Sequence, residues 1–131
     1  VFVTDCWDDI RELTSGYFAG DEALRTEDGQ RFHKQQSPIA LLLRIILAST
    51  NPGDRVLDPF AGTGTTGVVA QQLGRYCVLI DNSPRNIAMI RQRLEALRPA
   101  DSIDKWRHYY RFTPGLEEIW RVDAAQFGGD P

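Results

Sequence analysis

The stretch Asp58-Pro59-Phe60-Ala61-Gly62-Thr63-Gly64-Thr65-Thr66 limits what this chain can become more than any other segment. Before it comes Arg55-Val56-Leu57, which reads as a short buried strand, and after it Gly67-Val68-Val69-Ala70, which reads as a helix. An acidic residue therefore stands at a strand end, and a glycine turn joins that strand to a helix. In an open parallel sheet this is the corner where a ligand sits, beyond the carboxyl ends of the strands. Taken as a bare pattern, Gly62-Thr63-Gly64-Thr65-Thr66-Gly67 satisfies the dinucleotide fingerprint GxGxxG, with Asp81 about 20 residues further on to grip a ribose. Asp58 weighs between the ligands: it would repel a pyrophosphate seated on the following helix and attract an amino or sulfonium group. S-adenosyl-L-methionine carries both of those cations and no phosphate.

The expected element order is helix, strand, helix, strand, helix. Ser37-Pro38 reads as a helix start, with the hydroxyl capping free amides and the proline in the first turn. The helix runs through Leu41, Leu42, Ile45 and Ile46 and ends near Asn51-Pro52-Gly53. Thr65 to Leu73 is expected to be a helix with Val68, Val69 and Leu73 inward, closed by Gly74; Cys77-Val78-Leu79-Ile80 is the second strand. Pro84 to Leu97 carries Ile87, Ile90, Leu94 and Leu97 at helical spacing. The fold class is therefore α/β, a Rossmann-like arrangement of a parallel sheet with flanking helices.

Three regions are expected: residues 1–36 as a strand and loop, 37–98 as the α/β unit, and 99–131 as an extension. In the last, Trp106, Tyr109, Tyr110, Phe112 and Trp120 are interleaved with Lys105, Arg107, Arg111 and Arg121. That mixture suits an edge strand or capping segment with snorkelling arginines more than a nucleic-acid surface. The length of 131 residues and a composition of 42% hydrophobic and 25% charged residues suit one soluble globular domain. A net charge of -3 argues against holding nucleic acid by bulk charge alone. The longest apolar run, Ile39 to Leu47, is broken by Arg44 and is too short to cross a bilayer, and the sequence carries no signal-peptide pattern. Cys6 and Cys77 fit a reducing, cytoplasmic compartment, and neither has metal-site spacing.

Within the crevice the roles follow from chemistry. Gly62 and Gly64 allow positive φ and a close approach of backbone to ligand. Thr65 and Thr66 open the next helix, where their hydroxyls can cap it or bond a carboxylate. Asp81 can accept both ribose hydroxyls, and Phe60 can pack on apolar ligand atoms. Two alternatives stay open: Asp58 as a strand-end residue bonding local amides, and Asp81 as a helix cap.

The segments His33-Lys34-Gln35-Gln36-Ser37-Pro38, Asn51-Pro52-Gly53-Asp54, Val56-Leu57-Asp58-Pro59-Phe60, Gly62-Thr63-Gly64-Thr65-Thr66, Gly74-Arg75 and Arg93-Leu94 together resemble the cofactor half of the permuted, beta-class DNA amino-methyltransferases. The resemblance spans about Asp5 to Leu97. It implies a methyltransferase fold and a cofactor site built from His33, Lys34, Gln35, Asp58, Pro59, Phe60, Ala61, Gly62, Gly64, Thr65, Thr66, Asp81 and Asn82. It also implies DNA as a partner and methyl transfer to the exocyclic amino group of adenine or cytosine, as in restriction-modification. In that family a Pro-Pro-aromatic catalytic motif precedes the target-recognition region and the cofactor half. Val1 to Ile10 resembles the end of the catalytic half, and no Pro-Pro pair occurs in this chain, so no catalytic residue is assigned. The sequence departs from the family pattern at Lys34, Ser37, Leu79 and Asn86, and Asp81 replaces a commoner glutamate. A half of this kind is expected to pair with another chain, as a homo- or hetero-oligomer. A non-catalytic binding module and a nicotinamide-dependent oxidoreductase are the other two function classes.

Overall fold

The computed structural model describes residues 24–32, 36–97 and 115–120, together with Trp7 and Ile10. Four helices and two strands occur in these residues: α1 (Ile39–Ser49), β1 (Arg55–Asp58), α2 (Thr65–Gln72), β2 (Tyr76–Leu79), α3 (Pro84–Glu95) and α4 (Leu116–Trp120). The strands pair in parallel, with Arg55 opposite Tyr76 and Asp58 opposite Leu79. Because α2 is the crossover between them, the β1-α2-β2 unit sets its helix against one sheet face.

The core lies on that face. Ile39, Leu43 and Ile46 of α1 meet Val68, Val69, Ala70 and Leu73 of the α2 region, and Val56 and Cys77 reach the cluster from the sheet. Gly67 lets α2 settle this closely, since a Cβ there would stand 2.5 Å from Leu79 Cδ1. The inner stripe of α1 is Ile39, Leu43 and Ile46; of the expected positions Ile45 is exposed and Leu41 and Leu42 are only half-buried.

Two helix starts differ from expectation. Pro38 itself is the N-cap of α1, in extended backbone with φ -69° and ψ 145°, and no side chain caps the helix. Proline fixes φ at a value compatible with that extended state, so Ser37 is displaced one position too far out to cap, and it is exposed. In α2 the N-cap is Gly64 at φ 79°, again without a side-chain cap, so neither Thr65 nor Thr66 caps the helix. Only α3 is capped as its sequence suggests, the Ser83 hydroxyl accepting the Asn86 amide with Pro84 in the first turn. At the other end of α1, Ser49 and Thr50 hydroxyls donate back to the Ile45 and Ile46 carbonyls, the second of which also accepts the Thr50 amide.

The strands are buried on one face only. Leu57, Tyr76, Val78 and Ile80 are each more than half exposed, so the second face of the sheet is apolar and uncovered among the described residues. In the last third, α4 is a short helix and not the edge strand weighed for the region; residues 99–114 and 121–131 lie outside the described residues. Leu116 packs against the core, and Arg75 reaches α4 by donating from Nη1 to the Ile119 carbonyl at 2.8 Å. The same guanidinium donates to Leu73 O, Thr50 O and Thr50 Oγ1, and burial pushes its pKa down while nearby Asp54 opposes the shift. Residues 24–32 form a tight reversal with an Arg25–Arg31 antiparallel bridge, in place of part of the expected loop.

Candidate functional site

Parallel pairing carries Asp58 and Asp81 to the same end of the sheet, Asp58 as the last residue of β1 and Asp81 two residues beyond β2. Between them runs the loop 59–64, folded as consecutive turns. The Ala61 amide donates to Ile80 O at 3.0 Å, and the Gly64 amide to Ala61 O at 2.7 Å. Gly62 and Gly64 have φ of 53° and 79°, the positive values that their positions call for.

Both carboxylates hold this corner together. Asp58 Oδ1 accepts the Phe60 amide at 3.0 Å and Oδ2 accepts the Thr66 hydroxyl at 2.6 Å. The local-amide alternative is thus realised at Asp58, and a carboxylate stands against the first turn of α2. Asp81 bridges two segments: Oδ2 accepts the Gly62 amide at 2.9 Å, while Oδ1 accepts the Ser83 amide and the Asn86 side-chain amide at 2.8 and 3.0 Å. It therefore ties the glycine loop to the approach to α3, while the cap of that helix is Ser83 and not Asp81. A carboxylate offers about four acceptor sites, so two bonds leave Asp58 with capacity for further donors.

The remaining predicted residues divide by place. Phe60 is 88% exposed, which removes it from the core and leaves its ring free to meet a ligand. Pro59 and Asn82 are exposed beside the two carboxylates, and Ala61 is buried beneath the loop. Thr65 is buried and its hydroxyl accepts from Arg93; Thr66 faces Asp58. His33, Lys34 and Gln35 lie outside the described residues. Arg93 and Asn86 are partners of the site that the reading by motif did not assign a role, because helix α3 brings them to the loop only through the fold.

A separate groove of about 640 Å³ lies between the 24–32 reversal and α3, lined by Arg25, Phe32, Arg85, Met89 and Arg93 among others. Arg85 stacks on the Phe32 ring, 4.4 Å from its centroid. Neither Asp58 nor Asp81 lines this groove. Among the described residues no helix is long and apolar enough to cross a membrane.

Comparison with known proteins gives a consistent kinship. Residues 3–92 match the N6/N4 methyltransferase family model, described as DNA methylase. The Type II methyltransferase M.HinfI of Haemophilus influenzae is 44% identical over 80 residues, which cover 61% of this chain and 22% of that protein. The Type II methyltransferase M2.DpnII of Streptococcus pneumoniae is 44% identical over 95 residues, covering 69% of this chain and 35% of that protein. The chain thus spans between about a fifth and about a third of the length of these relatives. The matched residues take in the acidic strand end, the glycine loop and both strands, and this chain belongs to the N6/N4 DNA methylase family.

Proposed function

We propose that this chain is the S-adenosyl-L-methionine-binding part of a DNA amino-methyltransferase, with residues 37–98 as the donor-binding unit. One observation carries the reading: two carboxylates at the carboxyl ends of adjacent parallel strands flank a glycine loop at positive φ. Asp58, hydrogen-bonded to Thr66, places negative charge at the first turn of α2, where a dinucleotide's pyrophosphate would have to sit. The same charge favours a cationic ligand. The residues suit the donor: Phe60 offers an exposed ring, Gly62 and Gly64 carry no Cβ, and Asp81, just past the end of β2, is the acceptor we assign to the ribose diol. When bound, the donor supplies an electrophilic methyl group; the chain's own residues bind and orient it. His33, Lys34 and Gln35 complete the set of proposed contacts.

Methyl transfer to the exocyclic nitrogen of adenine or cytosine in DNA would fall to the whole enzyme, in which a catalytic half, either on the same longer chain or on a separate subunit, brings the Pro-Pro-aromatic motif and target recognition. The bare apolar sheet face supports assembly with such a partner or with a second copy. Calorimetry with S-adenosyl-L-methionine on the wild type and on Asp81→Ala tests the donor site. Binding to the wild type and its loss in the variant are expected; equal heats would remove Asp81 from the site. Retention of a nicotinamide dinucleotide in preference to the methyl donor would overturn the reading.

A further inference from the structure

The glycine loop is held from the side away from the sheet as well as from the strands. Ile90 and Arg93, three residues apart on α3, both meet it. A Cβ on Gly64 would lie 2.8 Å from Ile90 Cγ1, so the helix packs directly on the loop backbone. One turn further on, Arg93 Nη1 donates to Thr63 O at 2.6 Å and to Thr65 Oγ1 at 3.3 Å. Thr63 and Thr65 are each 4% exposed, so their oxygens are shielded from water. A charged donor reaching a buried carbonyl makes a stronger bond than a neutral one. The Thr65 hydroxyl sits at the start of a helix that has no side-chain cap, engaged by the arginine instead.

We infer that Arg93 is a positioning residue for the methyl-donor site, holding the 61–65 loop in its ligand-ready form without touching the ligand. This rests on the donor-binding reading above for its consequence, though not for its geometry. The loop is clamped between Asp81, which takes the Gly62 amide on one side, and Arg93, which takes the Thr63 carbonyl on the other. Releasing the Arg93 side lets the Thr63 peptide turn, and with it the glycines that line the crevice.

The test uses Arg93→Met, which keeps the stem and removes the donors, and Arg93→Lys, which restores a single charged donor. S-adenosyl-L-methionine affinity is measured by calorimetry, and amide hydrogen exchange is followed residue by residue without ligand. Arg93→Met is expected to weaken the donor at least about tenfold, the scale of one charge-assisted hydrogen bond. Exchange should quicken at Gly62 to Val68 while amides of the α1 core stay protected, and Arg93→Lys should recover part of both. Unchanged loop exchange together with wild-type affinity in Arg93→Met would overturn the inference. A uniform loss of protection across the chain would also overturn it, since that is what a purely structural arginine produces. Should the wild type fail to bind the donor, the functional proposal falls, and loop exchange alone decides the role of Arg93. If Arg93→Met does not fold, the same two comparisons are made on Arg93→Gln, which removes the charge and shortens the reach, and wild-type values in both would overturn the inference.

Discussion

Gly64 is under two separate demands. Its φ of 79° is a left-handed value, and Ile90 occupies the space a side chain would need. Gly64→Ala is expected to cost about 2 kcal/mol or more, from left-handed backbone strain and overpacking together. Gly67 has only the second demand, against Leu79, so Gly67→Ala is expected to cost about 1–3 kcal/mol. Chemical denaturation of the two variants beside the wild type measures both, and an unchanged midpoint in Gly64→Ala would contradict the packing described. Asp58 shows how a single residue can be read correctly in position and incompletely in role. Its place at the strand end follows from the apolar run before it. Its bonds to the Phe60 amide and the Thr66 hydroxyl depend on how the loop turns back, which composition does not reveal.

At the level of elements, both strands and the three longer helices were legible because glycine and proline punctuate them and their apolar residues recur at the right period. Gly74 and Ser83-Pro84 bound α2, β2 and α3 within a residue or two of the expected limits. The sheet's bare face was expected only through the family resemblance, since strands as short as Arg55–Asp58 and Tyr76–Leu79 look the same in sequence whether one face or both are covered. Helix α4 was missed for another reason: its five residues gain from Arg75 donating to Ile119 O, a contact 44 positions away. Arg75→Met should therefore destabilise the protein by about 2–3 kcal/mol, through carbonyls left without their charged donor. Thermal unfolding of the variant checks this, and an unaltered melting temperature would deny the arginine that role. Cys77 in β2 adds a pH signature. Burial raises its thiol pKa above the unfolded value, so the folded state keeps a proton that the unfolded chain loses. This contribution is complete below the unfolded thiol pKa, roughly 8.5, and is lost as pH rises through the higher folded value. Cys77→Ala should show a shallower loss of stability across that alkaline window, followed by urea denaturation at a series of pH values.

At the scale of the molecule, the described residues bury their core on one side of a two-stranded sheet and leave Leu57, Tyr76, Val78 and Ile80 more than half exposed on the other. Such a face favours association, and we expect a dimer or heteromer in solution. Val78→Lys should shift the wild-type oligomer toward monomer by light scattering at high concentration; a wild type that is already monomeric there would refute the expectation. The parallel pairing of Arg55–Asp58 with Tyr76–Leu79 has one more consequence, for the order of events during folding. Both carboxylates, the glycine bend and the helix between them come from one short, contiguous span of chain, so closing that span costs little loop entropy. This corner of the fold should therefore assemble as an early local nucleus, with α4 docking onto it afterwards.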